Sequence, residues 1–209
     1  MRTTLSEICS REHAALLVYD MQMGIARQMK GSEAVVANVG RVLKAARDAR
    51  TRIFFTRHMS LPLELMGAFQ LRMAMAWQRL EEPDRVKPWF LRDSPNFQIV
   101  PELTPLPSEA IFDKITMSAF EGTPLNIALR DCGVTAVAVA GIALEVGIEP
   151  TVRHAIDLGL IPLIISDACG SGNADAARRS LESLAFEGNT LVTDVATFTD
   201  LIGRPRDDP

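Results

Sequence analysis

The chain has 209 residues, of which 47% are hydrophobic and 23% are charged, a composition typical of a folded globular protein and not of a disordered or fibrous one. The net charge of −4 provides no basic surface for nucleic acid, so we expect no nucleic-acid partner. The longest apolar runs have the length of a strand, and the N-terminal residues lack the apolar segment of a signal peptide. We therefore expect no membrane span and a cytoplasmic protein.

Cysteine and histidine are both scarce. The chain contains three of each, Cys9, Cys132, Cys169, His13, His58 and His154. An odd number of widely spaced cysteines predicts reduced thiols and indicates neither a disulfide framework nor a zinc site. With so few ligand residues, and none of them clustered, we expect no metal and no cofactor.

Apolar runs alternate with segments of helical periodicity from one end of the chain to the other. Strands are predicted at 14–19, 52–57, 109–114, 135–141, 161–166 and 190–193, and helices at 33–49, 63–80, 123–132, 145–158 and 173–187. Alternating elements of this kind predict an α/β fold with a mostly parallel sheet. Several strands are continuous apolar runs, as expected where helices cover both faces of the sheet.

The stretch from Pro83 to Pro107 contains six prolines and is predicted to be mainly loop. Nothing in the sequence divides the chain into two units. We therefore expect a single domain over residues 1–209, with a core from about residue 13 to about residue 200.

The predicted helix 63–80 is apolar on almost every side. Its apolar residues include Leu65, Met66, Phe69, Leu71, Met73, Met75 and Trp77. Such a helix is either buried in the core, or covered by a second subunit or placed at the mouth of a pocket. On the second interpretation we expect a homo-oligomer, a dimer or a tetramer.

Polar or special residues stand at the ends of four predicted strands. Asp20 follows the first strand, His58 follows the second, Lys114 ends the third, and the segment from Gly141 to Gly147 follows the fourth. Ligands of an open parallel sheet bind at the carboxyl ends of its strands. These four positions are therefore predicted to converge on one site for a small-molecule substrate.

Three segments carry a resemblance to a known family. They are Val18-Tyr19-Asp20-Met21-Gln22, Lys114 with the following Ser118-Ala119-Phe120, and the turn from Gly141 to Thr151. In these segments the chain resembles the isochorismatase-like hydrolases, from about residue 13 to about residue 200. The resemblance implies a Rossmann-like three-layer sandwich around a six-stranded sheet, a site at the strand ends, and a cis peptide bond between Ile142 and Ala143.

The resemblance also implies a catalytic set. Most members of the family carry a catalytic cysteine where this chain has Gly147, so Asp20 and Lys114 would be an acid/base pair whose covalent partner is missing. A glycine there would leave space for a water molecule or a bulky ring. The isochorismatases also lack a nucleophilic cysteine at this position. In them the aspartate protonates an enol ether and water attacks the oxocarbenium-like carbon.

Three further positions are predicted to contact the substrate, namely His58, Ala143 and Glu145. His58 either contacts the substrate or is bonded to the backbone, and Ala143 stands where isochorismatases have a tyrosine. Glu145 would orient the attacking water, pair with Lys114 or cap the N-terminus of its helix. The amides of Ala143 and Gly147 are expected to be available as hydrogen-bond donors.

Two other functions stay open at the level of sequence. One is a catalytically inactive family member that is kept for binding or assembly. The other is an amidase with a relocated nucleophile, for which Cys169 and Ser118 are the candidates.

Overall fold

One sheet of six parallel strands organises the part of the chain that the structure, a computed structural model, describes, residues 4–204. The strands are β1 (Ala14–Tyr19), β2 (Arg52–His58), β3 (Ala110–Lys114), β4 (Ala136–Ile142), β5 (Ile161–Gly170) and β6 (Leu191–Thr193). They lie in the order β3-β2-β1-β4-β5-β6, and every neighbouring pair is parallel. The predicted α/β fold is confirmed, with a sheet that is wholly parallel.

Helices connect the strands and cover both faces of the sheet. They are α1 (Leu5–Ile8), α2 (Met23–Ala26), α3 (Ser32–Asp48), α4 (Ala68–Gln78), α5 (Leu125–Asp131), α6 (Glu149–Asp157), α7 (Ala174–Glu187) and α8 (Val195–Ile202). Helices α3 and α8 pack against one face, and α5, α6 and α7 pack against the other. The molecule is therefore a three-layer sandwich with an apolar core on each side of the sheet.

The central strand β1 shows how the two cores are built. All six of its residues are buried, and successive side chains of a strand point to opposite faces of the sheet. Leu16 and Val18 accordingly lie in the core with α3 and α8, while Leu17 and Tyr19 lie in the core with α6. This alternation directs the ring of Tyr19, the last residue of β1, toward the start of α6.

The strand order reverses direction between β1 and β4. In sheets of this order the ligand crevice lies at that point, outside the carboxyl ends of the strands. Asp20 directly follows β1 and Ala143 directly follows β4, while His58 and Lys114 end β2 and β3 as register partners. The topology therefore brings the predicted site residues to one edge of the sheet.

The predicted helix 63–80 differs from the structure. A 3-10 turn covers Leu63–Leu65, and α4 begins only after Gly67. Gln70 is the residue of α4 that is buried, while Phe69 is 55% exposed and Trp77 is 39% exposed. The interpretation of this segment as a core helix is therefore wrong: Met66 is buried, but Leu65, Phe69 and Trp77 are exposed, and Leu71, Met73 and Met75 are half-buried. Across residues 4–204, no helix combines the length and apolar character that crossing a bilayer would demand.

Other boundaries also differ from the predictions. The predicted helix 145–158 consists of a π-helical turn, Leu144–Ile148, followed by α6. Strand β5 continues to Gly170, so Cys169 lies within the strand and not after it. Helices α1, α2 and α8 were not predicted; α1 and α2 have four residues each, too few to show a helical period. The proline-rich stretch is mainly loop, as predicted, with three 3-10 turns.

Candidate active site

A buried ion pair lies where β1 and β3 end. The Nζ atom of Lys114 is 2.7 Å from Oδ2 of Asp20, and both side chains are almost fully buried. Oδ1 of Asp20 accepts a hydrogen bond from the hydroxyl of Thr56 at 2.7 Å, and the ammonium also donates to the carbonyl of Thr116 at 3.1 Å. These additional bonds offset the cost of removing both charges from water. The structure thus brings together the predicted acid/base pair.

Burial and the neighbouring carboxylate act in opposite directions on the ammonium of Lys114. Burial lowers the pKa of Lys114, because a desolvated ammonium loses its hydration, and the neighbouring carboxylate of Asp20 opposes this shift. Asp20 also has a positive φ of 45°, a conformation that is uncommon outside glycine and is concentrated at functional sites.

The hydroxyl of Tyr19 is the third polar group at this centre. It accepts a hydrogen bond from Nζ of Lys114 at 2.9 Å and donates one to the carbonyl of Met117. The ammonium also lies 4.4 Å from the centroid of the tyrosine ring. Burial and, second, the negative charge of Asp20 raise the pKa of Tyr19 well above its usual range. The phenol is therefore protonated and neutral at ordinary pH.

Gly147 makes room for this tyrosine. A Cβ atom at residue 147 would lie 1.9 Å from the hydroxyl oxygen of Tyr19 and 2.5 Å from its Cζ, far inside van der Waals contact. A side chain at residue 147 and the phenol would compete for the same space. The expectation that Gly147 leaves space for a water molecule or a bulky ring is thereby corrected, because a ring of the protein itself fills that space.

The turn after β4 uses its own amides. The peptide bond between Ile142 and Ala143 is cis, as the resemblance implied. The carbonyl of Ala143 accepts hydrogen bonds from the amides of Gly147 at 3.0 Å and Ile148 at 3.1 Å. The amide of Gly147 already has an acceptor within the turn, which corrects the expectation that it is available to a substrate. Ala143 itself is half-buried.

His58 is part of an aromatic wall beside the ion pair. Its ring centroid is 5.8 Å from those of Trp77 and Phe90, each in an edge-on arrangement. Gln22 holds its backbone, because Oε1 accepts from the amide of His58 at 2.6 Å and Nε2 donates to its carbonyl at 3.0 Å. Burial and the positive charge of Lys114 lower the pKa of His58 to about 4. The imidazole is therefore neutral near pH 7.

Glu145 caps a neighbouring loop. Its Oε1 accepts hydrogen bonds from the amides of Gly172 and Asn173, both at 2.8 Å, just before α7 begins. Of the roles considered for Glu145, a capping contact is observed. It is made to the residues before α7 and not to the helix that follows Glu145. Pairing of Glu145 with Lys114 is not observed, because Lys114 pairs with Asp20.

A cavity of about 370 Å³ opens beside the ion pair. Its lining includes Asp20, His58, Ala143 and Gly147, so four of the six predicted site residues surround one space. Lys114 reaches the site from behind, through its bond to the carboxylate of Asp20. Such a concave, mainly apolar space with a few polar groups is typical of a small-molecule site.

Neither candidate for a relocated nucleophile lines this cavity. Burial raises the pKa of Cys169 to about 12, and its sulfur lies 3.7 Å from the carbonyl of Val139, so this thiol is held in its unreactive, protonated form. The hydroxyl of Ser118 is 2.9 Å from Nδ1 of His154.

Within residues 4–204 no three His, Cys, Asp or Glu side chains lie close enough together to hold a metal ion.

Comparison with known proteins assigns the family. A family model described as the isochorismatase domain matches residues 14–197. A relative, ureidoacrylate amidohydrolase RutB from Enterobacter sp. (strain 638), is 27% identical and the match covers 93% of this chain and 91% of the relative. The chain therefore belongs to the isochorismatase family of hydrolases, as the resemblance in its sequence indicated.

Solved structures agree with this assignment. A cysteine hydrolase from Pseudomonas syringae pv. phaseolicola 1448A superposes with a TM-score of 0.78 at 25% identity, covering 91% of this chain and 92% of its own. An isochorismatase family protein from Burkholderia thailandensis gives 0.74 at 25% identity, over 92% and 97% of the two chains. The pyrazinamidase of Pyrococcus horikoshii, solved in complex with zinc, gives 0.73 over 87% and 99%, but at 19% identity it supports the fold alone.

Sequence reasoning missed three residues of the site, Tyr19, Gln22 and Thr56. Tyr19 is the only tyrosine of the chain, and its position directly before Asp20 at the end of a strand was an available signal. What the sequence could not reveal is that its ring reaches the turn at Gly147. Thr56 and Gln22 contact residues of other elements, and nothing in the local sequence of either marks that contact.

The overlap between Tyr19 and residue 147 generates a prediction about stability. Gly147→Ala should lower the free energy of unfolding by about 1–3 kcal/mol, because the added methyl group collides with the phenol. Tyr19→Val removes the phenol, so the double variant should be less destabilised than the sum of the single variants, by about 1 kcal/mol or more. Urea denaturation of the four proteins measures this coupling.

Gly67→Ala is the matched control for the double-mutant cycle. A Cβ at residue 67 would meet no atom within 4 Å and its φ is negative. Its effect should therefore simply add to that of Tyr19→Val. Additive effects for Gly147→Ala as well would show that the two positions do not share one space.

The lowered pKa of His58 predicts a pH dependence of stability. In the unfolded chain His58 takes up a proton near its ordinary pKa of about 6.5, whereas in the folded protein it does so near pH 4. Protonation between these values favours the unfolded state, so stability is lost as pH falls from about 6.5 to 4, by up to about 3 kcal/mol.

Denaturation at several pH values should therefore show a steeper loss for the wild type than for His58→Asn, which cannot titrate. Proton NMR of the imidazole, assigned by comparison with the same variant, should give a midpoint near 4. A His58 midpoint near 6.5 would contradict the buried, neutral state.

Proposed function

We propose that this protein is a small-molecule hydrolase that uses Asp20 and Lys114 for acid/base catalysis and forms no covalent cysteine intermediate. The observation that carries this proposal is a buried ion pair whose carboxylate, that of Asp20, lines a cavity. At the neighbouring Gly147, the phenol of Tyr19 occupies the space that a side chain would need. The pair supplies a proton, and Gly147 supplies no nucleophile.

The chemistry we propose is cleavage of an enol ether or a related acid-labile bond. The proton shared by Asp20 and Lys114 passes to the substrate carbon, and the resulting oxocarbenium-like centre is attacked by water. The attacking water returns its proton to Asp20, which restores the pair, and the hydrated product separates into a carbonyl compound and an alcohol. Lys114 acts by setting the charge of Asp20 at each stage.

The neutral groups around the pair support this chemistry. Tyr19 is protonated and donates to the carbonyl of Met117, so it holds Lys114 in place without adding charge. His58 is neutral near pH 7 and lines the cavity beside Asp20. We assign His58 and Ala143 to substrate contact. Glu145 would support the turn that carries Ala143 by anchoring it to the loop before α7.

Two competing functions are less favoured. An inactive family member kept for binding would not need a buried carboxylate in the cavity wall with an ammonium at 2.7 Å behind it, since a buried charge pair contributes little to stability compared with apolar packing. An amidase with a relocated nucleophile would need Cys169 or Ser118 to reach the substrate, and both lie outside the cavity lining.

Turnover tests the catalytic proposal. The protein is incubated with enol ethers, isochorismate among them, and with small amides. Asp20→Asn, which keeps the shape of the side chain but holds no exchangeable carboxyl proton, should lower kcat/KM for the best substrate by about 10² to 10⁴-fold. Circular dichroism confirms that the variant is folded.

Cys169→Ala is the control, because a non-covalent mechanism predicts activity close to that of the wild type. Activity that disappears with Cys169→Ala would favour a relocated nucleophile. Turnover that is independent of Asp20, or no turnover across a broad panel, would refute the proposed catalytic role.

We also propose that the protein is a cytoplasmic homo-oligomer, a dimer or a tetramer. The exposed apolar side chains of α4 and the turn before it, Leu65, Phe69 and Trp77, support a subunit interface, because large apolar side chains grouped at a surface are typical of one. Sedimentation should detect a dimer or tetramer at micromolar concentration. Phe69→Asp should shift the protein toward monomer, whereas Phe186→Asp, at an even more exposed phenylalanine of α7, should not.

A further inference from the structure

The lining of the cavity beside Asp20 is dominated by apolar and aromatic side chains. Of the fifteen residues that line it, ten are apolar or aromatic, two are glycine, and the polar three are Asp20, Gln28 and His58. Aromatic walls of this kind favour a flat, apolar body in the ligand. The space of about 370 Å³ is of the size that small-molecule sites have.

The charges facing this cavity cancel. The carboxylate of Asp20 has Lys114 as its counter-charge at 2.7 Å, and His58, with a pKa of about 4, is neutral near pH 7. Among the described residues, neither a lysine nor an arginine lines the cavity. An anionic ligand would therefore lose its hydration on entering an apolar space that holds no cation to bind it.

Positive side chains do occur nearby, but they do not line the cavity. Lys87 lines an adjoining pocket that shares Trp77, Trp89 and Phe90 with it, and this lysine is exposed to solvent. Arg27 and Lys30 are adjacent in sequence to the lining residues Gln28 and Met29, and both are exposed to solvent. Arg72 lies in a neighbouring groove that shares only Met117 with this cavity. A solvated cation at the surface contributes little to binding a ligand that sits inside.

We propose that the substrate is an uncharged molecule with an aromatic or comparably flat apolar body, and that the cavity discriminates against carboxylates and other anions. This inference rests on the proposed function, since it takes the cavity beside Asp20 as the substrate site. Charge selection then comes from the absence of a partner for an ionised group, and shape selection comes from the walls formed by Trp77, Trp89 and Phe90.

The chain provides its own reporter for ligand binding. It contains two tryptophans, Trp77 and Trp89, and both line the cavity. Tryptophan emission should therefore change when a ligand enters, whether or not it is turned over. Excitation at the red edge of the tryptophan band avoids absorption by the ligands.

Three probes of nearly equal size separate charge from shape: benzamide is neutral, benzoate is anionic and benzamidinium is cationic near pH 7. We expect benzamide to bind with a dissociation constant at least tenfold lower than those of the two ions, and acetamide, which lacks the ring, to bind too weakly to measure. Trp77→Ala should weaken benzamide binding severalfold, and Arg72→Gln should leave it unchanged.

A gain of charge tests the same mechanism in the opposite direction. Val146 lines the cavity and is 37% exposed, so substitution there should not disturb folding. Val146→Lys should lower the dissociation constant of benzoate about fivefold, while Val146→Gln, similar in length but uncharged, should not.

The proposal is overturned if benzoate or benzamidinium binds wild type as tightly as benzamide, if none of the three probes binds, or if Val146→Lys does not improve benzoate binding. These outcomes are distinguishable from failure of the proposed function. Preferential binding of benzamide by a protein without Asp20-dependent turnover would refute only the catalytic proposal. Asp20-dependent turnover of an anionic substrate would refute only the charge selection.

Discussion

The structure depends on one buried contact, the ion pair between Asp20 and Lys114. A carboxylate or an ammonium alone in this environment would be strongly destabilising, so each is tolerated only because the other lies 2.7 Å away. The pair can form because the parallel sheet brings the ends of β1 and β3 to one edge, with β2 between them and Lys114 in register with His58. The hydroxyl of Thr56 also donates a hydrogen bond to the carboxylate, and the ammonium donates one to the carbonyl of Thr116. Sheet topology and site electrostatics are thus two aspects of one arrangement.

The close contact between Tyr19 and Gly147 determines which groups surround Lys114 in this protein. The alternation of side chains along β1 sends the ring of Tyr19 toward the start of α6, and the missing side chain at residue 147 lets the hydroxyl reach Lys114. The phenol adds a hydrogen bond without adding a charge, because burial keeps it protonated. Under the proposed function this arrangement leaves proton transfer as the protein's contribution and leaves the attack to water.

Helix α4 links the site to the surface. Trp77 contributes to the cavity wall and packs edge-on against His58, while Phe69 of the same helix is 55% exposed. A subunit that covered Phe69 would therefore contact the helix that shapes the cavity. The proposed interface and the proposed substrate site would in this way be neighbours on α4.

Much of the architecture was readable in the sequence, because apolar runs and helical periods directly reflect burial on a sheet or a helix face. They predicted all six strands and the meeting of Asp20, His58, Lys114 and the turn after β4 at one edge. Only the tertiary structure decided what those residues do to one another. That Tyr19 fills the space at Gly147, that Glu145 binds the loop before α7, and that α4 is exposed all depend on contacts between residues far apart in sequence. A local sequence pattern holds no information about these long-range contacts, because they are determined by how the elements pack together.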